Sequence, residues 1–196
     1  MEIFDIRPGM HVLDLGGTPM IWEHVSAPLD ITLLNLPGTL SKGMSDSAIL
    51  QSPQLKHHTF HLIEGDACNV PQFGDRSFDL VFSNSVIEHV GPPPKQAEFA
   101  REVQRLGKCY WVQTPSMWFP IEVHSGMPFY WLYPSWLRAA LMRHWRTHLP
   151  AWWAEYMDTT RVLSRRRMAE LFPSSRTGVD YFLGFPKSYV SYFAGK

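Results

Sequence analysis

Residues 11–20 read HVLDLGGTPM, and this stretch constrains the fold more than any other in the 196-residue chain. HVLDL fits a short buried strand. Gly16 and Gly17 permit a backbone turn that a side chain would obstruct. Thr18 suits a helix cap, and Pro19 suits the first helical position, where a missing N–H has no partner to lose. The helix is expected over about IWEHVSA. A strand that passes through glycines into a helix leaves free N–H groups facing any ligand on the helix end. A dinucleotide loop wants the fuller Gly-x-Gly-x-x-Gly, because a pyrophosphate must lie against that end. Thr18-Pro19 removes one N–H there, which disfavours a pyrophosphate and suits a cofactor without phosphate. Taken alone, GGTP fits a plain strand–helix turn as well.

The same alternation continues downstream. DITLLNL (30–36), HHTFHLIEGDA (57–67), SFDLVFSNS (77–85) and KCYWVQTP (108–115) read as the second to fifth strands. Their nearly continuous apolar runs suit a parallel sheet covered on both faces. PGTLSKGMSDSAILQSPQ (37–54) reads as loop. SVIEHVGPPP is a helical turn stopped by Gly91 and three prolines. KQAEFAREVQRLG is an amphipathic helix with Ala97, Ala100, Val103 and Leu106 on one face. SWLRAALMRHW, capped by Ser135, and SRRRMAELFP, capped by Ser164, are further helices. TGVDYFLGF and KSYVSYFAG form two strands around a Gly-Phe-Pro turn, closing the sheet as an antiparallel pair. The expected fold is α/β: a single-domain Rossmann-like, doubly wound and mostly parallel sheet over residues 1–196. Residues 116–163 stand out as an aromatic-rich insertion or lid.

Composition narrows the class. The formal charge is zero and the pI is near 7.1. No basic stripe marks a nucleic-acid binder, and Arg165–Arg167 reads as the wet face of a helix. Two cysteines, Cys68 and Cys109, are too few for a disulfide framework and point to a reducing cytoplasm. Neither a signal peptide nor an apolar run long enough for a membrane span is expected. In HHTFH, His57, Thr59 and His61 share one face of a strand. Two imidazoles without an acid or thiol make a weak metal site, so none is assigned.

Three further positions carry chemistry. Asn35 ends the second strand, where a dinucleotide fold puts an acid for ribose hydroxyls; asparagine can still accept and donate. Asp66, in EGDA at the end of the third strand, can accept from an amino group. SNSVIEHV (83–90) opens a buried strand into small polar residues and then Glu88-His89, as cleft-lining strands do.

In order and spacing, VLDLGG, GDA and FDLVFSNSVIEHV resemble the motifs of the class I S-adenosylmethionine (SAM)-dependent methyltransferases. The likeness is greatest to the small bacterial group resembling the ubiquinone/menaquinone-biosynthesis (type 11) enzymes, and it runs over about residues 8–115. PSMWFPIEVHSGMPFYWLYP also looks like a segment found in a subset of them. Thr18 or Pro19 replaces the last glycine of the first motif, and Asn35 the usual acid. The resemblance implies transfer of the SAM methyl group, leaving S-adenosyl-L-homocysteine, to an oxygen or nitrogen of a small acceptor, and the aromatic stretch after residue 115 leaves room for a lipophilic or glycan-linked one. It implies that Gly16 and Gly17 pass the methionine part and that Asn35 and Leu36 flank the ribose. Asp66 and Ala67 would hold the adenine, and Ser83 and Asn84 would close the site beneath the sulfonium. Asp14 would brace the loop through backbone N–H groups.

A sulfonium methyl is already activated, so positioning supplies most of the catalysis. A base matters only for a protonated acceptor, and His124, Glu122 and His89 are the candidates. Each has a structural alternative: His124 pinning its loop, Glu122 capping N–H groups, His89 lining the cofactor. The aromatic segment reads as core packing, as a lid over an acceptor pocket, or, over 116–146, as a face for a membrane surface or partner protein. Two rivals to the enzyme remain at this level: a methyltransferase-like module that has lost catalysis, and a nucleotide-dependent oxidoreductase.

Overall fold

A computed structural model describes residues 3–38, 50, 52–122 and 124–195. Most of the expected loop 37–54 lies outside the described residues. Seven strands form one sheet: β1 His11–Leu15, β2 Asp30–Asn35, β3 Thr59–Glu64, β4 Phe78–Asn84, β5 Gly107–Pro115, β6 Arg176–Phe182 and β7 Phe185–Phe193. Their order is β3-β2-β1-β4-β5-β7-β6. The first five are parallel, and β7 runs antiparallel to both β5 and β6. The chain winds outward from β1 through β2 to β3, then returns to lay β4 on the other side of β1. A crevice opens at that reversal, beyond the carboxyl ends of β1, β2 and β4.

Both faces of the central strands are buried, as continuous apolar runs require. Along β1, Leu13 and Leu15 face a core with Phe99, Val103, Met168 and Phe172, while Val12 faces Trp22, Val25 and Leu29. Helix α1, Pro93–Leu106, begins on consecutive prolines, whose missing N–H groups lie among those no helix can satisfy internally. It buries Gln96, Phe99, Ala100, Val103 and Leu106, so the expected stripe is widened by Phe99 and Gln96 while Ala97 sits at its edge. α4, Arg165–Leu171, is capped as expected, with Ser164 accepting from the Arg167 N–H.

Several local expectations are corrected. Pro19 opens only a four-residue 3-10 turn, Pro19–Trp22, and the Thr18 side chain makes no cap bond. α2, Ser135–His148, starts at Ser135 itself, with Pro134 in the cap position. A further helix, α3 Ala151–Thr159, was not legible in AWWAEYMDT, because Trp152, Trp153 and Tyr156 give it no single apolar stripe. α2 and α3 pack around Tyr130, Met142, Trp145 and Met157, so much of the aromatic segment has a small core of its own. Trp136 and Trp152 stay exposed.

The closing hairpin turns at Leu183-Gly184 and not at Gly-Phe-Pro; Phe185 and Pro186 already belong to β7. Leu183 and Gly184 have φ of 50° and 82°. A two-residue hairpin loop with positive φ at both positions favours Asn-Gly, whereas leucine is strained there. Leu183→Asn is therefore expected to raise stability by about 1 kcal/mol, read as a higher urea midpoint with an unchanged m-value.

Candidate cofactor and active site

The crevice at the reversal contains a groove of about 200 Å³ lined by Gly16, Leu34, Asn35, Leu36, Gly65, Asp66, Ala67, Val86, His89, Val90 and Lys95. It thus gathers Gly16, Asn35, Leu36, Asp66, Ala67 and His89 from the residues picked out in the sequence. Gly16 has φ +73°, and a Cβ on it would lie 2.6 Å from Val86 Cγ2. The glycine lets the β1 loop close on the turn after β4. The Asn35 amide donates to the Gly17 carbonyl at 3.1 Å, tying the end of β2 to the loop, and its side-chain oxygen accepts no hydrogen bond among the described residues. One Asp66 oxygen accepts from the Cys68 N–H, and the other lies 3.6 Å from Lys95 Nζ.

Two expected cofactor contacts are placed elsewhere, and the expected brace of the loop has a different partner. Ser83 is fully buried and donates to the Leu15 carbonyl, joining β4 to β1. Asn84 opens into a separate groove with Trp111 and Gln113. Asp14 is fully buried and accepts from the Trp22 indole N–H at 2.9 Å, where backbone N–H groups had been expected. Its carboxyl lies against Gly17, where an added Cβ would meet Oδ2 at 1.9 Å. Oδ1 has no hydrogen-bond partner. Burial pushes the Asp14 pKa up to about 7, outweighing the Trp22 bond.

Beside the groove sits a second group. Glu122 is buried and takes four hydrogen bonds: His124 Nδ1 at 2.6 Å, the N–H groups of His124 and Ser125, and the Ser125 hydroxyl at 2.7 Å. Burial works to raise its pKa, but the bonds from His124 and Ser125 hold it below the ordinary carboxylate value. The His124 ring stands 5.0 Å from the His89 ring, edge to face. Burial, aided by His124, pushes the His89 pKa down to about 4, so its ring is neutral at pH 7. Thr160 Oγ1 gives its proton to the Tyr156 carbonyl at 2.8 Å, so it accepts from His89 Nδ1 at 3.2 Å. His89 Nε2 then accepts from the Tyr156 hydroxyl at 2.9 Å. Glu88 lies beneath, fully buried, with Oε2 on the Thr114 hydroxyl and Oε1 unpartnered; burial pushes its pKa up to about 7.

Sequence reasoning missed Tyr156 and Thr160, which lie in and just after the unrecognised α3. It noticed Glu88 without assigning it a place in the site; the buried position was signalled by IEHV. Glu88, His89 and His124 offer donor atoms within 4.8 Å of one another, the one such cluster among the described residues. Both His89 nitrogens and His124 Nδ1 are already engaged, so a cation there would have to displace Tyr156 or Thr160. His57 precedes β3 and binds the Val25 carbonyl, and His61 pairs with Asp30.

The comparisons bear on what this groove holds. The fold is similar to that of a SAM-dependent methyltransferase from Methanosarcina mazei, at 13% identity and TM-score 0.56, covering 95% of this chain and 92% of that one. It is similar to an O-methyltransferase family protein of Burkholderia thailandensis (13% identity, TM-score 0.60, 100% of this chain, 53% of that one). A Rhodobacter sphaeroides protein named for zinc-dependent alcohol dehydrogenases shares it too (14% identity, TM-score 0.61, 98% and 86%). At such identities the likeness concerns the fold. No curated protein matches the sequence. Residues 38–109 match the family model described as "Methyltransferase domain". That stretch is thus similar to a methyltransferase family, on a fold that SAM-dependent methyltransferases share. The match begins after the GGTP loop and spans β3, β4 and α1, a little over a third of the chain.

The groove has the character that SAM would need. Apolar walls from Leu36, Ala67, Val86 and Val90 suit a ring, and the Asp66 carboxylate suits an amino group. The 3-10 turn after Gly17 offers little N–H surface to a pyrophosphate, which argues against the dinucleotide reading. Among the described residues no helix is long and apolar enough to cross a membrane.

The buried carboxyl of Asp14 has a consequence for pH. Folded, it holds its proton up to about pH 7; unfolded, it releases it near the ordinary aspartate value of 3.8. The folded state therefore binds more protons across that window, and this contribution to stability is present below it and lost as pH rises through it. Asp14→Asn should remove a slope of up to about 1.4 kcal/mol per pH unit, seen as a flatter urea-stability profile between pH 4 and 7.

Proposed function

We propose that this protein moves the methyl group of SAM onto an oxygen or nitrogen of a small acceptor with an apolar part. The observation that carries this reading is the junction of the cofactor groove, through His89, with the Glu122–His124 pair. When bound, SAM supplies an activated methyl group. Gly16 and Gly17 let backbone approach its methionine end, the Asn35 oxygen and Leu36 flank the ribose, and Asp66 with Ala67 receives the adenine. Ser83 and Asp14 support the β1 loop from beneath. Glu122 fixes the proton of His124 on Nδ1, which leaves Nε2 as the acceptor of a proton from an incoming hydroxyl or amine. Neutral His89, fixed by Thr160 and Tyr156, orients that approach. Residues 116–163 act as an insertion over the acceptor side within a single domain of 1–196. The two cysteines, both unpaired, support a cytoplasmic setting.

A melting titration tests the cofactor. S-adenosylhomocysteine at about 100 times its Kd should add roughly 2.7 kcal/mol, a shift of several degrees for a domain this size, with none from NAD. A response to NAD alone would sink the reading. Once an acceptor is found by screening, His124→Gln should lower kcat by about 10²–10⁴-fold while leaving the S-adenosylhomocysteine shift intact. An unchanged kcat would return His124 to the role of pinning its loop.

A further inference from the structure

A second cavity, of about 310 Å³, lies between α2 and the segment around Asp158–Arg161, next to Thr160. Four arginines line it: Arg138, Arg143 and Arg146 from α2, and Arg161 from beyond α3. Asp158 is the one acid on its wall. It is taken by Arg146 at 2.6 Å, and Arg161 is turned onto the carbonyls of Asp158 and Thr160. Among the described residues the guanidinium groups of Arg138, half-buried, and Arg143, exposed, make no hydrogen bond or ion pair. The buried Nε of Arg138 has no acceptor at all.

A buried guanidinium N–H without an acceptor is costly, because it gives up water and gains nothing. Two unpaired guanidinium groups beside two paired ones leave a surplus of positive charge in a concave site. The planar forks of arginine match the oxygens of a phosphate, taken two at a time. We propose that Arg138, Arg143, Arg146 and Arg161 form an anion site that holds a phosphate-type group carried by the methyl acceptor. Position gives the link to the acceptor. Thr160 lines this cavity, and its hydroxyl meets His89 Nδ1 at 3.2 Å, while His89 lines the cofactor groove. The buried Thr160 is the wall between this cavity and His89, so an acceptor anchored by its phosphate here would have to reach His89 and His124 around that one residue. This inference rests on the methyltransferase reading of the groove, but its site can be tested separately.

Calorimetric titration with inorganic pyrophosphate and phosphate tests for a free phosphoester. Flotation with phosphatidylglycerol vesicles, against phosphatidylcholine vesicles, tests for a lipid headgroup as the source. The variants are the double substitution Arg138→Gln/Arg143→Gln and its counterpart with lysine at both positions, with the S-adenosylhomocysteine melting shift read on each. The expected result is pyrophosphate binding that weakens about tenfold or more in the glutamine variant. The lysine variant, which keeps charge without the fork, should fall between. The S-adenosylhomocysteine shift should be retained throughout. Vesicle binding alone, lost in the glutamine variant, would support the same site with a lipid phosphate as its source. Binding of neither probe, or binding that the glutamine variant leaves unchanged, would overturn the proposal. Arginine-dependent binding in a protein that never responds to S-adenosylhomocysteine would keep the anion site and remove its tie to methyl transfer.

Discussion

Asp14 sits in the central strand with one oxygen on the Trp22 indole and its carboxyl pressed against Gly17. Much of the cofactor edge depends on that contact. The carboxyl occupies the space that any side chain at residue 17 would need, so the loop can pass only as glycine. The Trp22 bond draws the short 3-10 turn back over the sheet, where Trp22 also meets the Phe82 ring edge to face. Gly16, one residue earlier, lets the same loop close on Val86. Through these two glycines the ends of β1 and β4 come near enough to form one wall of the groove.

The site then divides into two kinds of chemistry. The groove is largely apolar, and its one carboxylate, Asp66, faces its one ammonium, Lys95, which is also paired with Glu98. The group beside it is polar and tightly bonded: Glu122 carries four hydrogen bonds, and His89 is held at both nitrogens. Fixed hydrogen bonds of this kind set which nitrogen of each imidazole carries its proton. In a water-poor pocket that placement matters more than the number of ionisable groups. The arginine cavity adjoins this polar side and shares Thr160 with it.

The sheet was legible for a simple reason. In a buried parallel strand nearly every residue is apolar, so HVLDL, DITLLN and FDLVFSN announce themselves without any knowledge of their neighbours. The antiparallel closing pair was legible too, although its turn was not. Leucine at a positive-φ position carries no turn signal, and Gly184 was read into the wrong tight turn. The cap at Ser164 followed from local chemistry, whereas Thr18 and Ser135 had the right residue type and formed no cap bond. Helix α3 hid because its aromatics serve two surroundings, the small core around Met157 and the His89 ring, which Tyr156 stacks on.

The sequence by itself determined the winding of the sheet, the glycine passage at residues 16–17 and the groove-lining positions Asn35, Leu36, Asp66, Ala67 and His89. These lie at the ends of strands, where a motif and a place in the fold coincide. Only the tertiary structure decided that Ser83 turns inward to the Leu15 carbonyl and that Asn84 faces another groove. It alone brought Glu122, His124, His89, Tyr156 and Thr160 together, from segments up to 71 residues apart in the chain. No local pattern records such meetings, because they depend on how the insertion folds back on the sheet edge, and that is set by the packing of Tyr130, Met142, Trp145 and Met157 against one another.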